Sequence, residues 1–161
     1  MTRDEFVKRY GGVYEHSNWV AEQSYDAAIA SDNVDMLASI FASCVDNASR
    51  EQKLALIRAH PDLAGKAAIA GELTEESSEE QASAGIDQCS AEEFTRFQSS
   101  NDRYKQKFAF PFVMAVRGSN RQQILAAFEE RLNNDTDTEF ARAITEVHKI
   151  AGLRLQAMKD V

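Results

Sequence analysis

The sequence predicts an all-α protein, with residues 1–161 forming a single-domain helical bundle of roughly seven to nine helices. Apolar residues recur with helical spacing along most of the chain, whereas the alternating pattern of strands is nearly absent. Seven glycines and two prolines among 161 residues favour long helices and short connections. No repeat or change of composition marks a domain boundary, and this length is enough to bury a core.

The first three predicted helices occupy the N-terminal third of the chain. Thr2 and Glu5 have the spacing of a capping box, and Gly11 and Gly12 would end that first helix. A second helix opens after Ser17. The third is indicated by apolar side chains three and four residues apart: Met36, Leu37, Ile40, Phe41, Cys44 and Val45.

The fourth predicted helix ends at a proline. Ser49 and Gln52 form its capping box. Pro61 pushes the residue before it out of the α region, so His60 should lie at the helix boundary. A looser, partly helical stretch over residues 62–74 follows.

Two further helices are predicted before the second proline. One begins around Ser77 and runs toward Gly85 or Gln88. Ser90 and Glu93 cap the other, a long helix. Its buried stripe carries Phe94, Phe97, Asn101, Tyr104 and Phe108.

Pro111 breaks the chain before the last two helices. One of them starts at Ser119 or Asn120, and its apolar stripe carries Ile124, Leu125, Phe128 and Leu132. Thr136 and Glu139 have the spacing of a capping box for the last helix, which runs almost to the C-terminus.

Composition and charge narrow the range of partners and compartments. A net charge of −8 and a pI near 4.9 disfavour nucleic acid and anionic membranes. Cys44 and Cys89 are far apart, which indicates reduced thiols, with Cys44 as a small core residue. No apolar segment is long enough for a signal peptide or membrane span. We therefore expect a cytoplasmic protein.

His60 is the first of three candidate functional residues. A histidine at the end of a helix interacts favourably with the helix dipole, which is sufficient to explain it structurally. Histidine is also the usual general acid or base near neutral pH. The local pattern leaves both roles open.

The segment SSEEQ, residues 77–81, is the second candidate. Ser77 with Glu80, or Ser78 with Gln81, fits the capping box of a helix start. Alternatively, the free N–H groups of a helix start offer a binding site for an anion or a carbonyl.

Arg154 is the third candidate, because it falls on the apolar stripe of the last helix. The stripe runs through Phe140, Ile144, Val147, Ala151, Arg154 and Met158. The side chain either reaches the surface along its own stem or points inward. If it points inward, it needs an acidic or carbonyl partner, which a bound anionic ligand would also supply.

Other chemistries lack their motifs. The three histidines have no metal-binding spacing, so we expect no metal site. No nucleophile elbow, P-loop or dinucleotide fingerprint is present.

Four segments, taken together and in this order, resemble the OHCU decarboxylases, which act on 2-oxo-4-hydroxy-4-carboxy-5-ureidoimidazoline (OHCU). They are HPDLAGK at 60–66, SSEEQASAG at 77–85, KFAFPFVMAVRG at 107–118 and EVHKIAGLRL at 146–155. The N-terminal YGGVYEHSNWVAE also matches. The resemblance therefore covers nearly the whole chain.

The resemblance implies an all-α, homodimeric enzyme that needs no cofactor and releases CO2 to give (S)-allantoin in urate degradation, a part of purine metabolism. By motif it implies two catalytic residues, His60 and Glu80. It also implies a set of substrate-binding residues: Pro61, Ser77, Gln81, Phe112, Val113, Met114 and Arg154, with backbone contacts from residues 112–114.

Loss of CO2 would leave a carbanion that the nitrogen-rich ring of the substrate delocalises, so the protein must orient the substrate and handle protons. His60 would act at the substrate hydroxyl and at the carbanion, and Glu80 would orient His60 or crowd the departing carboxylate. Gln81 would bind the ureido group, and Arg154 a ring carbonyl or developing oxyanion. Either His60 or Glu80 delivers the final proton.

Two alternatives belong to other functional classes. One is a non-catalytic helical module that binds an anionic ligand or peptide at Arg154. The other is a metal-dependent hydrolase that uses His60 and nearby acidic residues.

Overall fold

The structure, a computed structural model, describes residues 1–31 and 33–159, without the side chains of Lys66 and Ala67. Within those ranges all regular secondary structure is helical, which confirms the predicted all-α class. The α-helices are α1 Arg3–Tyr10, α2 Trp19–Ala28, α3 Val34–Asp46, α4 Arg50–Arg58, α5 Lys66–Ile69, α6 Glu75–Ser83, α7 Ala91–Phe108, α8 Arg121–Arg131 and α9 Thr136–Lys159. A short 3-10 helix spans Ile86–Gln88.

The chain divides into two compact units. Unit 1 comprises Met1–His60 and Val147–Val161, and unit 2 comprises Pro61–Glu146. Helix α9 contributes its first part to unit 2 and the remainder to unit 1. Among the described helices, none is both long and apolar enough to cross a lipid bilayer.

Local capping sets most of the helix starts. The predicted capping boxes at Thr2, Ser49 and Ser90 are all formed, with side-chain and backbone groups bonded in both directions. Asn120, rather than Ser119, caps α8 and forms a fourth box with Gln123. These starts could be predicted because each depends on residues three positions apart.

Helix α2 opens after Ser17, as predicted, with Asn18 at its N-cap position, and the Ser17 hydroxyl donates to the carbonyl of Glu15 at 2.8 Å. The predicted caps of two other helices are wrong. Helix α6 begins at Glu75, where the Thr74 hydroxyl accepts the backbone N–H of Ser77. The two SSEEQ capping boxes are therefore not formed, since Ser77 already lies in the first turn.

The second wrong cap is that of α9. The Asp135 carboxylate accepts the backbone N–H of Thr138 at 2.7 Å, so Asp135 supplies the cap rather than Thr136. Glu139, the expected partner of Thr136, is completely buried and bonded elsewhere. A residue pair can have the spacing of a capping box while tertiary contacts use its side chains differently.

The core of unit 1 includes the inner face of α3. Leu37, Phe41 and Val45 are buried there as predicted, whereas Met36 is 58% exposed. Cys44 is half-buried and therefore not the core residue that we expected. Cys44 and Cys89 are both unlinked, which confirms the prediction that they do not form a disulfide.

An aromatic cluster forms the core of unit 2. It contains Phe97, Tyr104, Phe108, Phe110, Phe112 and Phe128. The rings of Phe112 and Phe128 stack with their centroids 3.8 Å apart. Phe94, at the start of the predicted stripe, is only half-buried. Because Phe112 belongs to this cluster, the core itself fixes the chain just after Pro111.

Candidate functional site

His60 lies just beyond the C-terminus of α4, at the helix boundary predicted from Pro61. Helix α4 ends at Arg58, and the backbone N–H of His60 donates to the carbonyl of Ile57. The imidazole is 7% exposed, and its Nδ1 lies 3.0 Å from the carbonyl oxygen of Leu56. Because a carbonyl only accepts, Nδ1 carries the proton, and Nε2 of the neutral ring keeps its lone pair.

The surroundings of His60 favour this neutral form. Burial lowers the pKa of His60 from 6.5 to about 4, against the opposing effects of the Leu56 carbonyl and the Glu15 carboxylate. The positive charge of Arg154 lowers the pKa further. At neutral pH the ring is therefore an uncharged group with one basic nitrogen, Nε2, which is the form required of a general base.

Arg154 points into unit 1, so the inward alternative is correct. The residue is 6% exposed, and Nη1 donates to the carbonyl of Gly12 at 3.0 Å. Its Nη2 lies 3.4 Å from the Oε2 atom of Glu15, which is 2% exposed. The guanidinium thus has both an acidic and a carbonyl partner within the chain.

Unit 2 begins at Pro61, which is followed by a loop over residues 62–64. Three side-chain amides hold the backbone of this loop. Gln81 accepts from the N–H of Ala64 at 3.1 Å and donates to the carbonyl of Asp62 at 3.3 Å. Gln98 donates to the Ala64 carbonyl at 2.6 Å, and Asn101 to the Leu63 carbonyl at 2.8 Å. We refer to Gln81, Gln98 and Asn101 as the amide clamp.

Ser77, Glu80 and Gln81 share one side of α6, since they are spaced three and four residues apart. Ser77 and Gln81 are each 5% exposed, and Glu80 is half-buried. Glu79 is exposed. Each of the two polar atoms of the Gln81 amide can make one more hydrogen bond besides its contact with the loop.

A cavity of about 520 Å³ in unit 2 borders the amide clamp. Gln81 and Ala64 line it together with Ser78 and the apolar side chains of Ile69, Leu73 and Phe94. Ser77 and Glu80 are not among its lining residues. This volume is in the range of small-molecule sites.

The segment of residues 112–114 is fixed by buried charged side chains. Arg131 donates to the carbonyl of Val113 at 2.7 Å, and its guanidinium lies 4.3 Å from the ring centroid of Phe112. Glu146 accepts the backbone N–H of Ala115 at 3.0 Å. The backbone on which the predicted contacts depend is thus held on both sides of Met114.

Arg131 is itself held by a buried ion pair. Its Nε lies 2.8 Å from Glu139, and the two side chains are 2% and 0% exposed. Tyr104 and Asn134 also donate to the Glu139 carboxylate. A buried pair needs such additional hydrogen bonds to offset the cost of removing two charges from water.

In the part of the chain that the structure describes, no group of three His, Cys, Asp or Glu side chains comes together in a way that could hold an ion.

The sequence profile of the family described as OHCU decarboxylase matches residues 1–156. The chain belongs to the OHCU decarboxylase family. It is 46% identical to the 2-oxo-4-hydroxy-4-carboxy-5-ureidoimidazoline decarboxylase of Haloferax volcanii, over 94% of this chain and 88% of that protein.

Two further proteins are similar to this member of the OHCU decarboxylase family. A uric acid degradation bifunctional protein of a Bacillus species is 40% identical, over 97% of this chain and 30% of that protein. The crystal structure of (S)-allantoin synthase superimposes with a TM-score of 0.76 at 33% identity. That match covers 98% of this chain and 50% of the other.

The predicted site residues are distributed over both units. Unit 1 contains His60 and Arg154, and unit 2 contains Pro61, Ser77, Glu80, Gln81, Phe112, Val113 and Met114. Glu15, Arg131 and Glu146 were not predicted, because their contacts with Arg154, the Val113 carbonyl and the Ala115 N–H join residues at least 18 positions apart. Glu15 and Arg154 are 139 positions apart. The sequence offered one local signal for Glu15, namely a carboxylate in the short connection between α1 and α2.

Proposed function

We propose that this chain decarboxylates OHCU to (S)-allantoin in urate degradation, without a cofactor. The observation that carries this proposal is His60, a buried imidazole whose proton is held at Nδ1 by the Leu56 carbonyl. Membership of the OHCU decarboxylase family supplies the substrate. The buried imidazole supplies the general base that the reaction requires.

The substrate's name defines the reaction. One ring carbon carries both the hydroxyl and the carboxylate, and the neighbouring carbon carries the ureido group and the ring C=N bond. As the bond to the carboxylate breaks and CO2 leaves, its electron pair forms a C=C bond to the neighbouring carbon, and the electron pair of the C=N bond moves onto the ring nitrogen, which takes up a proton. The hydroxyl then loses its proton and becomes the ring carbonyl, and the ureido-bearing carbon takes up a proton. Two protons are thus taken up and one is released, so one net proton comes from water. The ring therefore accepts the electrons itself.

His60 Nε2 would accept the proton of the hydroxyl, because it is the basic nitrogen of the neutral ring. Glu80 is the second proton-handling group, and the stereochemistry of the product depends on which face of the ring carbon is protonated. Gln81 and Ser77 would bind the ureido and ring groups, alongside the Pro61 ring and the backbone of residues 112–114. Arg154 would stabilise negative charge on a ring oxygen.

We further propose that residues 1–161 act as one domain in a cytoplasmic homodimer. The homodimer derives from the family resemblance, whereas the single domain and the cytoplasmic location derive from the composition and the cysteines. Sedimentation equilibrium at several protein concentrations tests the oligomeric state. A mass of one chain at all concentrations contradicts the dimer.

The anion-binding module is less well supported than the decarboxylase. Glu15 supplies a negative charge to Arg154 within the chain, so the buried guanidinium does not require an external anion for charge balance. The metal-dependent hydrolase would require a coordinating cluster, and a metal-free preparation tests it directly.

The deciding experiment follows optical activity. Urate oxidation and ring hydrolysis generate the substrate freshly, and the purified chain is added with and without EDTA. We expect (S)-allantoin to form faster than the spontaneous racemic product, at equal rates in both samples. A rate no greater than the spontaneous one contradicts the proposed function, and loss of activity with EDTA contradicts the cofactor-free mechanism.

A further inference from the structure

Glu15 lies in the connection between α1 and α2, residues 11–18, which packs along the C-terminal part of α9. Three contacts fix the connection to α9. The Tyr14 hydroxyl lies 2.8 Å from Nδ1 of His148, and Gly12 and Glu15 contact the Arg154 guanidinium at 3.0 and 3.4 Å. His148 and Arg154 are six residues apart, or about 9 Å along the helix. The position of Glu15 is therefore fixed by neighbours on both sides.

The backbone of residues 11–18 has a specific shape. A Cβ on Gly11 would lie 2.6 Å from the carbonyl oxygen of Val7, so no side chain fits where the chain leaves α1. His16 adopts a φ of 48°, in the left-handed region that residues other than glycine seldom occupy. The Ser17 hydroxyl donates to the Glu15 carbonyl at 2.8 Å. Such a conformation persists only where surrounding contacts maintain it.

Burial makes the Glu15–Arg154 pair energetically important. The two side chains are 2% and 5% exposed, so neither charge is well solvated. Removal of one member of such a pair leaves the other charged group buried without compensation. The negative charge of Glu15 also raises the pKa of His60, in opposition to Arg154. Glu15 thus acts electrostatically on both proposed site residues of unit 1.

We propose that Glu15 is a positioning residue for the reaction, which orients the Arg154 guanidinium toward the substrate and balances its charge beside His60. This inference rests on the proposed function. Glu15 makes no bond to the substrate in this scheme. It acts through Arg154, so its contribution to the rate depends on the presence of Arg154.

A double-mutant cycle tests this dependence. Glu15→Gln keeps the size of the side chain and removes its charge. We expect it to lower kcat/KM at least tenfold in the wild-type background, mainly through kcat, because the Arg154 contact acts on the transition state. In the Arg154→Met background the same substitution should change kcat/KM less than twofold. Glu15→Asp should restore part of the rate, and Glu22→Gln, on the exposed face of α2, should behave like wild type.

Histidine-selective NMR gives a readout that does not depend on turnover. Glu15→Gln should lower the pKa of His60, and Glu15→Asp should return it toward the wild-type value. If circular dichroism shows that Glu15→Gln is unfolded, the same cycle and titration are carried out with Glu15→Asp.

Three outcomes overturn the inference. An active wild type with an unaffected Glu15→Gln variant overturns the positioning role alone. Equal losses in the two backgrounds indicate a purely structural effect and also overturn it. A wild type without activity overturns the proposed function and the positioning role together.

Discussion

His60 Nδ1 and the carbonyl oxygen of Leu56 lie 3.0 Å apart, one helical turn from each other along the chain. The last turn of a helix leaves carbonyl groups without partners inside the helix. Here one of them accepts the imidazole proton and so decides which nitrogen remains basic. This one hydrogen bond therefore gives a carbonyl at the end of α4 a partner and also fixes the tautomer of His60.

His60→Ala should remain folded and lose stereoselective catalysis. General-base assistance is worth about 10²- to 10⁴-fold in rate, so we expect kcat to fall by about that factor. Optical activity measures the loss, and circular dichroism checks the fold. His16→Asn is the matched control, because His16 is exposed and asparagine tolerates its positive φ. Wild-type turnover in His60→Ala contradicts the assignment.

The stability of the protein should depend on the protonation of His60 between about pH 6.5 and 4. Burial lowers its folded-state pKa to about 4 from an ordinary 6.5, so in this window the unfolded chain binds the extra proton. The stability contributed by neutral His60 is complete above pH 6.5 and is lost as the pH falls to 4. The loss is at most about 3 kcal/mol.

Urea unfolding of wild type and His60→Ala at each pH isolates this contribution, because the other titrating groups are common to both chains. The difference in unfolding free energy should change only within this window. In the enzyme assay, kcat/KM should stay on its plateau at pH 5, where an ordinary histidine would already be protonated. A fall of kcat/KM centred near pH 6.5 contradicts a lowered pKa.

Local signals in the sequence predicted most of the helices, and the failures have two causes. Thr74 and Asp135 cap α6 and α9 in place of the predicted residues, and a tertiary contact uses the side chain of Glu139. The capping boxes at Thr2, Ser49 and Ser90 were correct because each involves only neighbouring residues. The box proposed for Glu139 was wrong because the carboxylate of Glu139 pairs with Arg131 instead. The spacing of residues in a helix cannot reveal which distant charge a buried carboxylate will meet.

In the candidate site, too, local features could be predicted from the sequence, whereas a contact between distant residues could not. Pro61 placed His60 correctly at a helix end, and the apolar stripe of the last helix showed that Arg154 was unusual. The partner of Arg154 could not be predicted, because Glu15 lies in a connection with no periodic pattern. Burial of Arg154 was thus predictable as one of two alternatives, whereas the group that balances its charge was not.

Arg131→Met should destabilise the protein strongly. It would leave the Glu139 carboxylate buried without its cation and would remove the bond to the Val113 carbonyl. We expect the free energy of unfolding to fall by about 3–5 kcal/mol, measured by urea denaturation. Arg103→Met is the matched control, since the Arg103–Glu129 pair is 54% and 57% exposed and should contribute less than about 1 kcal/mol. Equal losses in the two variants contradict the assigned importance of burial.

Gln81→Leu should release the loop after Pro61. The variant keeps a similar volume but leaves the N–H of the buried Ala64 without its acceptor, at a cost of about 1–3 kcal/mol. Hydrogen exchange at the Ala64 amide should accelerate, and catalysis should fall with it. Gln106→Leu, at an exposed position of α7, should leave both unchanged. Unaltered exchange at Ala64 in Gln81→Leu contradicts the proposed clamp.

The amide clamp has a consequence for the response of the protein to ionic strength. Gln81, Gln98 and Asn101 are uncharged, so added salt does not screen the bonds by which they hold the loop. Among the described side chains, Lys105 and Asp62 form an ion pair at this loop, and this pair is partly exposed. Added salt can therefore weaken the Lys105–Asp62 pair without releasing the backbone of the loop that follows Pro61. We expect the loop to keep the same conformation at low and at high salt concentration.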